Sequence, residues 1–193
     1  MENKDKIIIY QVFTRLFGNN NSHCIANGTI QENGCGKMAD FTAKALGEIK
    51  DLGATHIWYT GVIEHATQTD YRRHGITPDH PTVVKGKAGS PYAIKDYYDI
   101  DPDLSKDVPE RMKEFENLVQ RTHKAGLKVI IDFVPNHVAR QYQSDVQAAG
   151  TQLIHRASRR TGKGLGARLR AECNFRADNT SSRSLRCEII SPS

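Results

Sequence analysis

The sequence predicts an α/β fold built on a parallel sheet, and three observations predict it. Val129, Ile130 and Ile131 form a β-branched apolar run of the kind found in strands covered on both faces. Two stretches of helical spacing end at a glycine, Gly53 and Gly126, and an apolar run follows each. The resulting order is strand, helix, strand, long insertion, helix, strand, and it calls for the crossover connections of parallel strands.

The elements follow in order. Ile7 to Phe13 is the first apolar run and reads as strand one. Gly18 to Gly36 is rich in Asn and Gly, which suit turns, and reads as irregular backbone. Asp40 is placed to cap a helix whose Phe41, Ala45, Ile49 and Leu52 recur at helical spacing. Ala54 to Ile63 is strand two. Asp107 and Glu110 have capping-box spacing, with Pro109 in the first turn of a second helix. Met112, Phe115, Leu118, Val119 and Thr122 form its apolar face, and Lys128 to Val134 is strand three. Between them, Glu64 to Lys106 is too long for a plain connection, which marks it as a candidate functional loop. It carries Tyr71, His74, His80, Tyr92, Tyr97 and Tyr98. Tyrosines near a strand end suit stacking on sugar rings or bases, and equally suit covering the rim of the fold.

Composition narrows the class. The 193 residues suffice for one domain with a sizeable core, and 38% hydrophobic with 25% charged residues fits a soluble globular chain. No run approaches the roughly 18 apolar residues of a membrane span, so no membrane partner is expected. The N-terminus does not read as a signal peptide, which leaves a cytoplasmic or unassigned location. Cys24, Cys35, Cys173 and Cys187 show neither CxxC nor zinc spacing. The net charge of +5 is uneven: residues 1–146 carry 18 basic and 19 acidic side chains (18 − 19 = −1), and residues 147–193 carry 9 and 3 (9 − 3 = +6). Usage shifts from Lys to Arg at the same point, and periodicity fails there. Two domains are therefore expected: a folded body over 1–146 and a basic Arg/Ser-rich tail over 147–193, disordered or non-native, as a shifted reading frame would produce. The tail holds one aromatic, Phe175, so the interleaving needed to stack nucleic-acid bases is missing and nucleic acid is not an expected partner.

The chemistry-bearing string is Asp132 to His137, DFVPNH, at the end of the third strand. Ligands in parallel α/β folds bind at that end, although such a string also occurs as ordinary loop polarity.

Residues from about Ile7 to Asp145 resemble the N-terminal part of the α-amylase family (glycoside hydrolase family 13). IIIYQVFTRLF is similar to the family's first barrel strand, and ALGEIKDLGATHIWYTGVI to its first helix leading into strand two. Tyr92-Ala-Ile-Lys-Asp96-Tyr97 resembles the Y-x-x-x-D segment, and Asp132 to His137 the D-x-x-x-N-H region. The resemblance implies a partial (β/α)₈ TIM barrel, its first three strands, and a glycosidase acting on α-glucosidic bonds of starch-like glucans. It implies that Tyr92 and His137 contact the sugar, that Asp132 and Asp96 are structural at the site, and that Asn136 is a calcium ligand. The expected partner is an α-glucan oligosaccharide or polysaccharide. A retaining glycosidase needs two carboxylates, and in the family these follow strands four and five. They are expected to be missing here, leaving the chain inactive alone; a non-catalytic glucan-binding or partner-completed piece is the alternative. Asn174-Phe175-Arg176-Ala177-Asp178 superficially resembles the nucleophile segment, but no apolar strand precedes it, so no catalytic residue is assigned.

Overall fold

The computed structural model describes residues 6–144. Eight regular elements run in order: β1 (Ile9–Phe13), α1 (Ile30–Asn33), α2 (Ala43–Asp51), β2 (His56–Thr60), β3 (Ile63–His65), β4 (Ile94–Ile100), α3 (Arg111–Lys124) and β5 (Lys128–Ile131). The expected boundary at residue 146, the tail over 147–193 and Asp178 lie outside the described residues.

The expected α/β arrangement is present. β1, β2 and β5 form one sheet in that order, with both pairings parallel. Ile9 stands opposite His56, and Tyr59 opposite Ile131. α2 connects the first pair and α3 lies on the connection between the second, which is why each helix has one apolar stripe. α2 buries Leu46 and Ile49, and α3 buries Leu118, Val119 and Thr122. The core they share is anchored by aromatics. Phe41 stacks on Phe17 at 4.1 Å and meets Tyr59 edge-on at 4.9 Å. The Tyr59 hydroxyl pairs with Thr122 Oγ1 at 2.6 Å, tying β2 to α3. Burial pushes that phenol up to about 12 against the opposing effect of the Thr122 bond.

Several local expectations are corrected. Asp40 does not cap α2. Its carboxylate takes the Lys37 N–H at 2.7 Å and closes a short 3₁₀ turn, and Thr42 is the cap, accepting from Ala45 N. Leu52 is 72% exposed, and the position facing the core is Leu46. Asp107 makes no side-chain cap bond, because the chain enters α3 through a 3₁₀ turn, Val108–Glu110. Glu114 instead reaches back and accepts from Asp107 N, Lys106 N and Ser105 Oγ. Burial alone would raise the Glu114 carboxyl, but these bonds outweigh it and hold it below its ordinary value. β5 ends at Ile131 rather than Val134, and Val129 to Ile131 are half-buried, because β5 is an edge strand among the described residues.

The insertion also contains structure that the pattern did not announce. β3 and β4 pair antiparallel, with Ile63 opposite Ile100, Glu64 opposite Asp96 and His65 opposite Ile94. Polar side chains then lace its loop to the hairpin. Lys95 Nζ lies 3.0 Å from Asp79 Oδ2, both side chains buried, and Thr67 Oγ1 donates to Lys87 O at 2.9 Å. The Asn/Gly-rich stretch likewise contains α1, closed by a Thr29–Glu32 capping box.

Candidate functional site

The site is built on the turn that follows β5. β5 ends at Ile131, and Pro135, which cannot donate to a ladder, forms a tight turn with residue 136. Asp132 sits at the strand's exit and is buried. Its Oδ1 accepts from Trp58 Nε1 at 2.5 Å and its Oδ2 from Gly61 N at 2.8 Å. One carboxylate thus ties the end of β5 to the end of β2. Gly61 is required there. Its φ is +75°, and a Cβ would stand 2.9 Å from Pro91 Cβ and 3.0 Å from Phe13 Cε2.

Beyond Asp132 the chain turns outward. Asn136 and His137 are exposed, and Asn136 Oδ1 lies 2.8 Å from His137 Nδ1. An amide oxygen only accepts, so in this contact the imidazole donates from Nδ1, which leaves Nε2 to serve another partner. Tyr92 is 50% exposed and lies two residues ahead of β4. The segment that follows His137 is bonded to the strand that follows Tyr92: Ala139 N donates to Ile94 O at 2.7 Å, and Gln143 N to Lys95 O at 3.1 Å. Asp96 is buried on β4, where its Oδ1 accepts from Tyr98 N at 2.9 Å. It also faces the Tyr142 phenol, which burial first and then this charge push up to about 12.

Other carboxylates nearby are engaged with protein. Arg111 forms a bidentate pair with Asp99, through Nε at 2.8 Å and a closer Nη2 contact. Arg15 pairs with Asp103, which also accepts from the Tyr71 hydroxyl at 2.6 Å. His65 Nδ1 lies 3.1 Å from Asp101 Oδ2. Burial pushes the Asp101 carboxyl up, with the His65 charge pulling the other way.

Calcium takes six to eight oxygens, several of them carboxylate. The Asn136 oxygen already receives the His137 proton, and no group of three or more His, Cys, Asp or Glu side chains placed to hold a metal occurs among the described residues. Asn136 Oδ1 keeps a second lone pair, which leaves it available as one oxygen of such a shell, and the proposed chemistry takes no step through calcium. Sequence reasoning missed Trp58, Gly61 and the Tyr97 hydroxyl. Their partners lie 74, 71 and 40 residues away, distances at which no local pattern carries a signal.

Comparison with known proteins identifies the family. The family model described as "Alpha amylase, catalytic domain" matches residues 11–156, more than half of the chain. The rat amino acid transporter heavy chain SLC3A1 is 50% identical over 48 residues, covering 25% of this chain and 6% of that protein. A cyclomaltodextrin glucanotransferase from Bacillus licheniformis is 28% identical over 151 residues, covering 74% of this chain and 19% of its own. The crystal structure of an α-amylase from Lactobacillus plantarum is 30% identical, with a TM-score of 0.47, and covers 70% of this chain and 24% of its own. The chain thus spans about a quarter or less of the length of each of these proteins. No helix among the described residues is long and apolar enough to cross a membrane. On the match over residues 11–156, the chain belongs to the α-amylase catalytic-domain family, glycoside hydrolase family 13.

Proposed function

We propose that residues 6–144 form the first part of a (β/α)₈ barrel and supply one wall of a glycosidase site for α-glucosidic bonds of starch-like glucans. The observation that carries this reading is the exposed His137 imidazole, bonded through Nδ1 to Asn136, on a turn bonded to the strand that Tyr92 leads into. Nε2 exchanges a hydrogen bond with a sugar hydroxyl. The half-exposed Tyr92 ring packs on the apolar C–H face of the same pyranose. Family members with similar sequences include a honeybee α-glucosidase and a Bacillus subtilis trehalose-6-phosphate hydrolase, names that agree with a glucosidic substrate.

In this reading the wall orients the sugar and does not break the bond. Retaining hydrolysis needs two carboxyl groups about 5–5.5 Å apart, facing the scissile bond. Asp132, Asp99 and Asp103 are each committed to protein donors, so the nucleophile and the general acid/base would come from outside residues 6–144. The expected behaviour of the purified chain is binding of maltooligosaccharides without release of reducing sugar from starch. Calorimetric titration with maltoheptaose tests the contact, and absence of heat would remove the sugar assignment. Clear hydrolysis would show that the catalytic carboxylates are present after all.

One observation favours a second reading. The 50% identical stretch belongs to a protein named for an amino acid transporter, not for a glycosidase. In this version the same α/β frame serves as a non-catalytic, partner-completed module. Retention of the chain on immobilised amylose separates the two, because a module of that kind has no reason to bind glucan.

A further inference from the structure

We propose that Tyr97 is a positioning residue for His137, holding the turn that aims the imidazole; the inference rests on reading His137 as a sugar contact. Tyr97 lies on β4, some 40 residues from the turn in sequence. Its hydroxyl donates to Val134 O and also reaches His137 O at 3.2 Å. These carbonyls bracket residues 135 and 136, so the single hydroxyl proton, given to Val134 O with His137 O as the longer, shared acceptor, holds the turn from beneath. The ring is held in place in turn. It packs against Phe133 at 5.8 Å and Tyr142 at 6.0 Å, one residue on each side of the segment it grips.

The arrangement divides the work. Asn136 sets the rotation of the imidazole through Nδ1, while Tyr97 sets the backbone from which the imidazole projects. A phenol is protonated at neutral pH and so a donor, and burial pushes the Tyr97 ionisation further up. A phenylalanine ring would keep both aromatic contacts and lose the hydroxyl's bonds to the turn.

The test uses the full chain labelled with ¹³C at histidine Cε1. The Tyr97→Phe variant is expected to shift or broaden the His137 resonance, identified by its loss in His137→Gln, while His23 and His74 stay in place. It is also expected to weaken maltoheptaose binding about five-fold, the equivalent of one net hydrogen bond. Tyr59→Phe is the control for stability, because it also deletes a tyrosine hydroxyl bond, at the far side of the core. An unmoved His137 signal in Tyr97→Phe, or an equal movement in Tyr59→Phe, overturns the proposal. So does the absence, in the wild-type chain, of a nuclear Overhauser effect between the Tyr97 ring and His137 Hα, whatever the variants do. Should the wild-type chain not bind maltoheptaose, the sugar reading falls, and the resonance data still decide whether Tyr97 positions the turn.

Discussion

Asp132→Asn is the substitution that most directly probes how the site is tied to the sheet. The carboxylate serves two donors, Trp58 Nε1 at 2.5 Å and Gly61 N at 2.8 Å, and is itself buried. An asparagine offers one oxygen. Whichever donor takes it, the amide NH₂ is left facing the other N–H, and two buried donors oppose one another. A hydrogen bond to a charged group contributes about 1.5–3 kcal/mol and a neutral one about 0.5–1.5 kcal/mol. Losing one charge-assisted bond and weakening the second gives a loss of about 2–4 kcal/mol. For a chain of this size about 1 kcal/mol moves the melting temperature by roughly 2–4 °C, so a fall of about 5–15 °C is expected. The protein carries one tryptophan, Trp58, so its emission reports on the bond being broken. Urea unfolding followed by tryptophan fluorescence reads the stability, and the native emission maximum reads the indole's surroundings. A loss under about 0.5 kcal/mol with native emission unchanged would refute the claim that Asp132 joins the two strand ends.

Three further substitutions test neighbouring parts of the argument. Gly61→Ala should cost about 2–4 kcal/mol in urea unfolding, since it forces a left-handed residue and places a methyl against Pro91 and Phe13. Glu114→Gln should destabilise at neutral pH by about 1–2 kcal/mol through its three accepted bonds. The folded carboxyl lies below the ordinary 4.5, so the unfolded chain binds the proton first as pH falls. The Glu114 contribution is complete above that value and lost as pH drops through the folded one, so wild type and variant should converge in acid denaturation curves. Tyr59→Phe should cost about 1 kcal/mol at neutral pH through the Thr122 bond. Its sign reverses in alkali: the unfolded phenol ionises near 10 and the folded one near 12, so wild-type stability falls across that interval. The variant should show a shallower fall in thermal melts between pH 10 and 12.

The parallel frame was legible because its signals are local. A helix stripe followed by a glycine stop reads directly, and Gly53 and Gly126 do adopt left-handed φ values of +87° and +74°. The adjacency of Asn136 and His137 at a strand end was equally visible. The β3–β4 hairpin was not, for a physical reason. Its buried face includes Glu64 and Asp96, so the apolar alternation that marks a half-buried strand is broken by charge. Asp40 misled in a similar way. An aspartate ahead of an apolar stripe has the chemistry of a cap, but the Lys37 N–H was nearer and took its carboxylate. The role of Tyr97 depends on a contact across the fold, and nothing in the Y-x-x-x-D-Y string says which tyrosine faces inward.

That choice between neighbours leads from the buried charges to the site. Side chains alternate along β4, so Tyr97 is half-buried and Tyr98 is 48% exposed. A one-residue slip of β4 would exchange them and turn the Val134–His137 grip over to solvent. The β3–β4 ladder alone does not fix the register, because its pairing shifts at both steps between Ile63 and His65. The residues that follow Tyr98 supply the missing constraint. Asp99, Asp101 and Asp103 recur at every second position, and they meet Arg111, His65 and Arg15 respectively. Buried ion pairs add little net stability over apolar packing, but a slip would leave Asp99 and Asp103 buried without their arginines, at about 3–5 kcal/mol per broken pair. Two such pairs weigh heavily against the slipped register. Their consequence for function is geometric: they keep Tyr97 under the turn, and the turn keeps the His137 imidazole where a sugar hydroxyl can reach it.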